Sequence, residues 1–221
     1  MTPHELTAAV RERALELGFD LVGFGGVGRF EEQDLILEHL ARGHLAGMSW
    51  ITPERVVLSC NPEALLPGAR SIVALGTAYA QPDEAADGAP LRGRVARYAR
   101  GRDYHEVIPP KLRELASRIR EIAGEETRCR TFVDTGPLVD RAAARRAGLG
   151  FVGKNTCILT DRHGSFVFLS AVLTTLELVP DPIVMKDCGS CRACIDACPT
   201  GAIISPHEMN ATRCISYLTI E

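Results

Sequence analysis

The stretch CGSCRACIDACPTGAI, residues 188–203, constrains this chain more than any other. It sets thiols at Cys188, Cys191, Cys194 and Cys198 in the pattern C-x2-C-x2-C-x3-C-P. Five of the eight cysteines crowd into the interval from Cys188 to Cys214, whereas Cys60, Cys129 and Cys157 stand alone. Such uneven placement argues against a secreted disulfide scaffold, and in a reducing cytosol a thiol cluster means metal.

Two metals compete for this pattern. Zinc sites also use C-x2-C pairs, but as two pairs divided by a longer spacer. Three ligands within seven residues, followed by Cys-Pro, favour a [4Fe–4S] cluster with Cys188, Cys191 and Cys194 on one cubane face. In bacterial two-cluster ferredoxins the cysteine before the proline, here Cys198, ligates the other cluster, and Cys214 is placed to join it. Both ligand sets are incomplete within this sequence: the first lacks a fourth thiol, the second lacks two.

A chain of 221 residues, 46% hydrophobic, is long enough for one full core and a small appended module. Its formal charge of −3 brings no general affinity for polyanions, so a nucleic acid would have to meet a local patch. No apolar run approaches bilayer length, and MTPHELTAAVRERALELG is charged and amphipathic rather than a signal peptide, so the expected location is cytosolic. Thr2, Pro3 and Glu5 form a capping box for a first helix that ends at Gly18. FDLVGFG, SIVALGTAYA, CRTFVD, TCILTD and SFVFLSAVLTT read as strands. Helical patterns run over Glu31–Leu45, Pro110–Ala123 and Pro137–Ala147. Strands alternating with helices predict an α/β sandwich with an antiparallel hairpin around Asp161–Gly164 and a surface loop at 81–93. The proline-bearing segment Leu178–Asp187 is the expected boundary, giving an α/β domain at 1–177 and a thiol module at 178–221.

Several motifs admit two readings. GFGGVG, Gly23–Gly28, fits a dinucleotide-binding spacing, but no acidic strand end follows about twenty residues on, so a glycine-permitted turn is expected. Arg92, Arg94, Arg97, Arg100 and Arg102 form a run that suits phosphate or simply water. Asp134 closes the strand CRTFVD, where it or Thr135 would cap the helix opening at Pro137, or where it would serve as an acid at the rim of a sheet. GLGFVGKNT, Gly148–Thr156, offers glycines for close approach and Lys154 for an anionic or amide-rich ligand.

Taken in order, RYARGRDYH (97–105), VDTGPLVDRAAARRAGLGFVGKNT (133–156), CGSCRACIDACPTGAI and RCISYLTIE (213–221) resemble the cobalamin-dependent epoxyqueuosine reductases of tRNA modification. The pairing of a cobalamin-binding α/β domain with a bacterial ferredoxin module is shared, more distantly, with reductive dehalogenases. The resemblance implies reduction of epoxyqueuosine to queuosine at the wobble position of tRNA, with electrons passing through two [4Fe–4S] clusters to cobalamin. It implies Asp134 as proton donor, which calls for a buried carboxyl with a raised pKa. It also implies Cys188, Cys191, Cys194, Cys198 and Cys214 as cluster ligands. Arg97, Asp134, Lys154, Asn155, Ile158 and Ser216 would line the corrin. Neither Asp103-Tyr104-His105 nor Asp161-Arg162-His163 continues into the D-x-H-x-x-G of mutase-type proteins, so histidine ligation of cobalt is not expected. The implied partners are tRNA carrying epoxyqueuosine and an unidentified electron donor, with no membrane and a monomeric chain.

Members of that family run on past the ISYLTIE block with a second cysteine motif and a helical repeat domain that helps bind tRNA. The expectation here is a truncated copy, or a partner chain that completes the clusters, with neither cluster held stably by this sequence alone. The competing readings are an electron-carrier or cofactor-binding module without activity, and a reductive dehalogenase-like enzyme with a small organic substrate.

Overall fold

The computed structural model describes residues 1–80 and 95–220. The loop expected at 81–93, together with Arg92 and Arg94, lies outside the described residues. In chain order the helices are α1 (Pro3–Glu16), α2 (Glu32–Ala41), α3 (Pro53–Ser59), α4 (Pro62–Leu65), α5 (Tyr104–Ala123), α6 (Asp140–Arg146), α7 (Ala193–Asp196) and α8 (Ile215–Ile220). The strands are β1 (Leu21–Gly25), β2 (Ser71–Ala78), β3 (Cys129–Val133), β4 (Phe151–Val152), β5 (Ile158–Leu159), β6 (Val167–Thr174), β7 (Ile203–Ser205) and β8 (Glu208–Met209).

Four strands make the main sheet in the order β1-β2-β6-β3, with every neighbouring pair antiparallel. β2 and β6 run side by side from Ser71↔Thr174 to Ala78↔Val167 and form its centre. Their side chains alternate between two cores, as a period of two requires. Ile72, Ala74, Ala171 and Leu173 point to one face, where Phe30, Val56, Leu65 and the small residues Ala142, Ala143 and Ala144 of α6 pack. Val73, Leu75 and Val172 point to the other, against Val10 and Ala14 of α1 and the stripe Ile108, Leu112, Leu115 and Ile119 of α5. The result is the expected sandwich, with helices on both faces of a sheet buried at its centre.

The capping box at Thr2 forms as read: Thr2 Oγ1 accepts the Glu5 N–H at 3.3 Å, and the Glu5 carboxylate accepts the Thr2 N–H at 2.7 Å. Helix α5 starts six residues before the expected Pro110. Asp103 caps it by accepting the His105 N–H, and Pro109 and Pro110 sit inside the helix. Proline there removes bonds to the carbonyls of His105 and Glu106, which water can satisfy because both residues are exposed, while the buried stripe holds the helix in place. Helix α2 ends at Ala41 rather than Leu45, because the chain turns at Gly43 with φ +71°. Helix α6 begins at Asp140 rather than Pro137, after a turn through Gly136 and Pro137, and neither Asp134 nor Thr135 caps it. Around Asp161–Gly164 the chain does reverse, with Thr160 and Gly164 exchanging backbone bonds at 3.0 and 3.1 Å. The strand before that turn, β5, pairs with β4 in a separate sheet, so the turn joins two sheets.

The first half of GFGGVG is a packing device, while Gly26 and Gly28 follow the strand with no close neighbour to an added Cβ. Gly23 and Gly25 lie within β1, directly beneath the end of α6, and a Cβ on Gly23 would stand 2.1 Å from the Ala147 carbonyl oxygen. The segment read as a boundary is stitched onto the sandwich at its start: Leu178 is buried, Val179 N–H donates to Thr7 Oγ1 at 2.8 Å, and Asp181 accepts from both Arg11 and the Phe24 N–H.

Candidate active site

β3 delivers Asp134 to the rim of the sheet, where the end of β3 meets the start of β6. The residue has φ +45°, a left-handed conformation that costs a non-glycine residue on the order of 1 kcal/mol. Strain of this kind persists where the surroundings hold it, and here two side chains from the first turn of α5 do so. Tyr104 Oη donates to Asp134 Oδ2 at 2.8 Å, and His105 Nε2 lies 3.2 Å from the same oxygen. His105 Nδ1 is in turn 2.9 Å from Asp103 Oδ1, so the imidazole is held between two carboxylates. Partial burial works to lower the His105 pKa, but its hydrogen bonds to Asp103 and Asp134 outweigh that and raise it, favouring the imidazolium. Tyr104 is fixed by stacking on Phe168 at 4.2 Å between centroids, and burial foremost, then the bond to Asp134, pushes its phenol upward.

Asp134 opens onto a cleft of about 600 Å3. Trp50, Arg55, Leu138, Val167 and Asp140 contribute to its walls, so the rim is open rather than filled by packed side chains. The burial expected of Asp134 is not found there, since its side chain is 59% exposed. It falls instead on Asp140, whose Oδ1 is buried with no hydrogen-bond partner. Burial first, and then the charge of Asp134, pushes the Asp140 carboxyl up to about 7, only partly opposed by Arg141 and the Asp134 backbone N–H. Asp140 escaped notice in the sequence because an acidic residue in the first turn of a helix is ordinary dipole pairing.

The thiol module is a loop, the short α7 and the β7–β8 ribbon. Backbone N–H groups are aimed at its sulfurs. Ala202 N–H donates to Cys198 Sγ at 3.2 Å, and the Lys154 N–H reaches Cys188 Sγ at 3.5 Å. The backbone of Ile203, more than that of Ala202 and Thr200, brings Cys198 down to about 7, toward the thiolate that ligates iron. This donor set fits iron–sulfur chemistry. Among the described residues, however, no three potential ligands stand grouped for a single ion.

Lys154 has a definite place in this arrangement. Its ammonium donates to the carbonyls of Gly189 at 2.6 Å and Cys191 at 2.9 Å, tying the first cysteine loop to the sandwich. His207 adds to the join through Lys154 O and Gly153 O, both at 3.1 Å, and Tyr217 Oη accepts the Gly47 N–H at 2.9 Å. Lys154→Met is therefore expected to loosen the 188–191 loop by on the order of 1 kcal/mol. Faster amide hydrogen exchange there, with the sandwich unchanged, checks it.

The other residues expected to line a corrin are outside the walls of this cleft, each with its own local surroundings. Arg97 stacks its guanidinium 5.0 Å from the Phe166 centroid, Asn155 Oδ1 accepts the Cys157 N–H within its own loop, Ile158 is 5% exposed in the core, and Ser216 is exposed on α8.

A cleft bearing two carboxyls and two guanidiniums at the rim of a helix-covered sheet, joined to a cysteine module with N–H groups directed at sulfur, marks the class as an iron–sulfur protein with an acid-bearing site. Residues 60–135 match the family described as epoxyqueuosine reductase QueG, DUF1730, and residues 187–221 match a 4Fe-4S double cluster binding domain. The epoxyqueuosine reductase of Leadbetterella byssophila is 40% identical over 212 residues, 96% of this chain and 68% of that protein. That of Xanthomonas campestris pv. campestris is 40% identical over 223 residues, 99% of this chain and 62% of the relative. A crystal structure of epoxyqueuosine reductase with a tRNA-Tyr epoxyqueuosine-modified tRNA stem loop is 38% identical, with a TM-score of 0.90 over 99% of this chain and 58% of that one. The chain belongs to the epoxyqueuosine reductase family. It spans roughly three fifths of the length of the curated relatives it matches.

Proposed function

We propose that this chain carries the reducing and proton-donating site of epoxyqueuosine reduction, converting epoxyqueuosine at the wobble position of tRNA to queuosine and water. The observation that carries this reading is Asp134, held in a strained conformation by Tyr104 and His105 at the mouth of an open cleft. In this reading the sandwich, residues 1–177, receives cobalamin beside Asp134, and residues 178–221 present Cys188, Cys191, Cys194, Cys198 and Cys214 to the clusters. Bound there, the clusters and a reduced cobalamin would supply low-potential electrons, one at a time, to the epoxide.

The chain's own groups do the rest. Trp50, Leu138 and Val167 give the cleft an apolar wall for the substrate to pack against, and Asp134 gives a proton to the departing oxygen. Tyr104 and His105 keep that carboxyl aimed into the cleft. No helix among the described residues is long and apolar enough to cross a membrane. Incubation with cobalamin followed by desalting should leave the visible spectrum of a corrinoid on the protein. Complete loss of colour on desalting would exclude the cleft as a corrinoid site.

A further inference from the structure

Asp134 is not the only carboxyl in the cleft. Asp140 lines the same cavity, and its Oδ1 is buried and without a partner. The charges around it are few and come from each element packed there. Asp134 and its partners Tyr104 and His105 stand at the end of β3 and the start of α5; Arg55 comes from α3 and Arg141 from α6. β6 faces it with Val167, Phe168 and Leu169, which are apolar. Arg141 also lines the cleft and partly offsets the charge, but its guanidinium donates to Thr156 O at 3.0 Å and Thr156 Oγ1 at 3.2 Å, and none of its hydrogen bonds goes to Asp140. A carboxylate left there would have one oxygen cut off from solvent and would share the cleft with a second, exposed carboxylate, a situation that favours keeping a proton on the buried one.

We propose that Asp134 and Asp140 act as a coupled pair, in which Asp134 meets the substrate and Asp140 holds the proton that restores Asp134 after its first transfer. The inference rests on the function proposed above, and the stoichiometry of that reaction requires it or something equivalent. Turning an epoxide into an alkene breaks two carbon–oxygen bonds, forms one carbon–carbon π bond and releases the oxygen as water. The change takes up two electrons, from the cobalamin and cluster donors named above, and two protons. One exposed carboxyl supplies one proton. Asp140 supplies the next through Asp134 and is refilled from solvent through the open cleft. It is a positioning residue for the proton and does not touch the substrate.

Part of the test is independent of turnover. In the chain labelled with 13C at the aspartate carboxyls, Asp140, assigned by its loss in Asp140→Asn, should titrate near pH 7. In Asp134→Asn its midpoint should fall, because the neighbouring negative charge is gone. A midpoint in the ordinary carboxylate range, or one indifferent to Asp134→Asn, overturns the pairing. Stability gives a second reading with a determined sign. The folded chain holds this proton more tightly than the unfolded chain, so Asp140 costs stability as pH rises from about 4 to about 7. Asp140→Asn should therefore gain in Tm over the wild type at pH 8 and not at pH 4.

Single-turnover conversion of an epoxyqueuosine stem loop completes the test. Asp140→Asn should be slower by on the order of 10-fold or more and should lose the inflection near pH 7, while Asp140→Glu should restore both. An unchanged rate and profile in Asp140→Asn overturn the reservoir role. If the wild type converts nothing, the functional reading has failed by itself, and the titration still decides for or against the pair.

Discussion

Asp134→Asn is expected to remove at least about 10²-fold of the turnover of an epoxyqueuosine stem loop while leaving cobalamin uptake and the fold intact. The substitution is well matched to the site. Asparagine tolerates the left-handed φ of +45° nearly as well as aspartate, so the backbone need not move. Its amide oxygen can still accept from Tyr104 Oη, now at 2.8 Å, and from the His105 ring. The transferable proton and the carboxylate charge are lost, and the geometry is kept. The loss should therefore appear in the rate of the chemical step, with substrate affinity near that of the wild type. Single-turnover rates with saturating stem loop make the measurement. Wild-type rates in the variant would take Asp134 out of the donor role.

Gly23→Ala is the second large effect, and it concerns folding. A Cβ on Gly23 would stand 2.1 Å from the Ala147 carbonyl oxygen and 2.9 Å from a Leu149 methyl. The first obstacle is backbone at the end of α6 and cannot rotate away, so strand and helix must separate along a seam that is part of the buried core. Overpacking of this kind costs about 3 kcal/mol or more. For a chain of this size that lowers Tm by roughly 6–12 °C. Gly26→Ala is the matched control, because nothing lies within 4 Å of its added Cβ. Thermal unfolding of the two variants separates the readings of GFGGVG: equal, small losses would mean that its glycines serve a surface turn after all.

The outcome at these glycines shows where reading along a chain stops working. The GFGGVG spacing reported truthfully that bulk is excluded, but the excluding atom belongs to Ala147, more than a hundred residues away. Asp134 shows the opposite case. Its place after a strand was legible, whereas the choice between helix cap and active acid depended on whether α6 began at Pro137 or at Asp140. Lys154 was recognised as a residue in search of an anionic or amide-rich partner. It found amide carbonyls, but those of the Gly189–Cys191 loop.

Within single segments, the order of residues determined a great deal. The capping box at Thr2, the two-residue alternation of β2 and β6 and the cysteine spacing from Cys188 to Cys198 are local, because backbone geometry over a few residues permits few arrangements. Tertiary structure alone decided that Tyr104 and His105 clasp Asp134 across about thirty residues, and that the buried carboxyl of the cleft is Asp140. The physical reason is that desolvation and Coulomb coupling depend on distance through space. That distance is set by which elements pack together, and spacing along the chain does not report it.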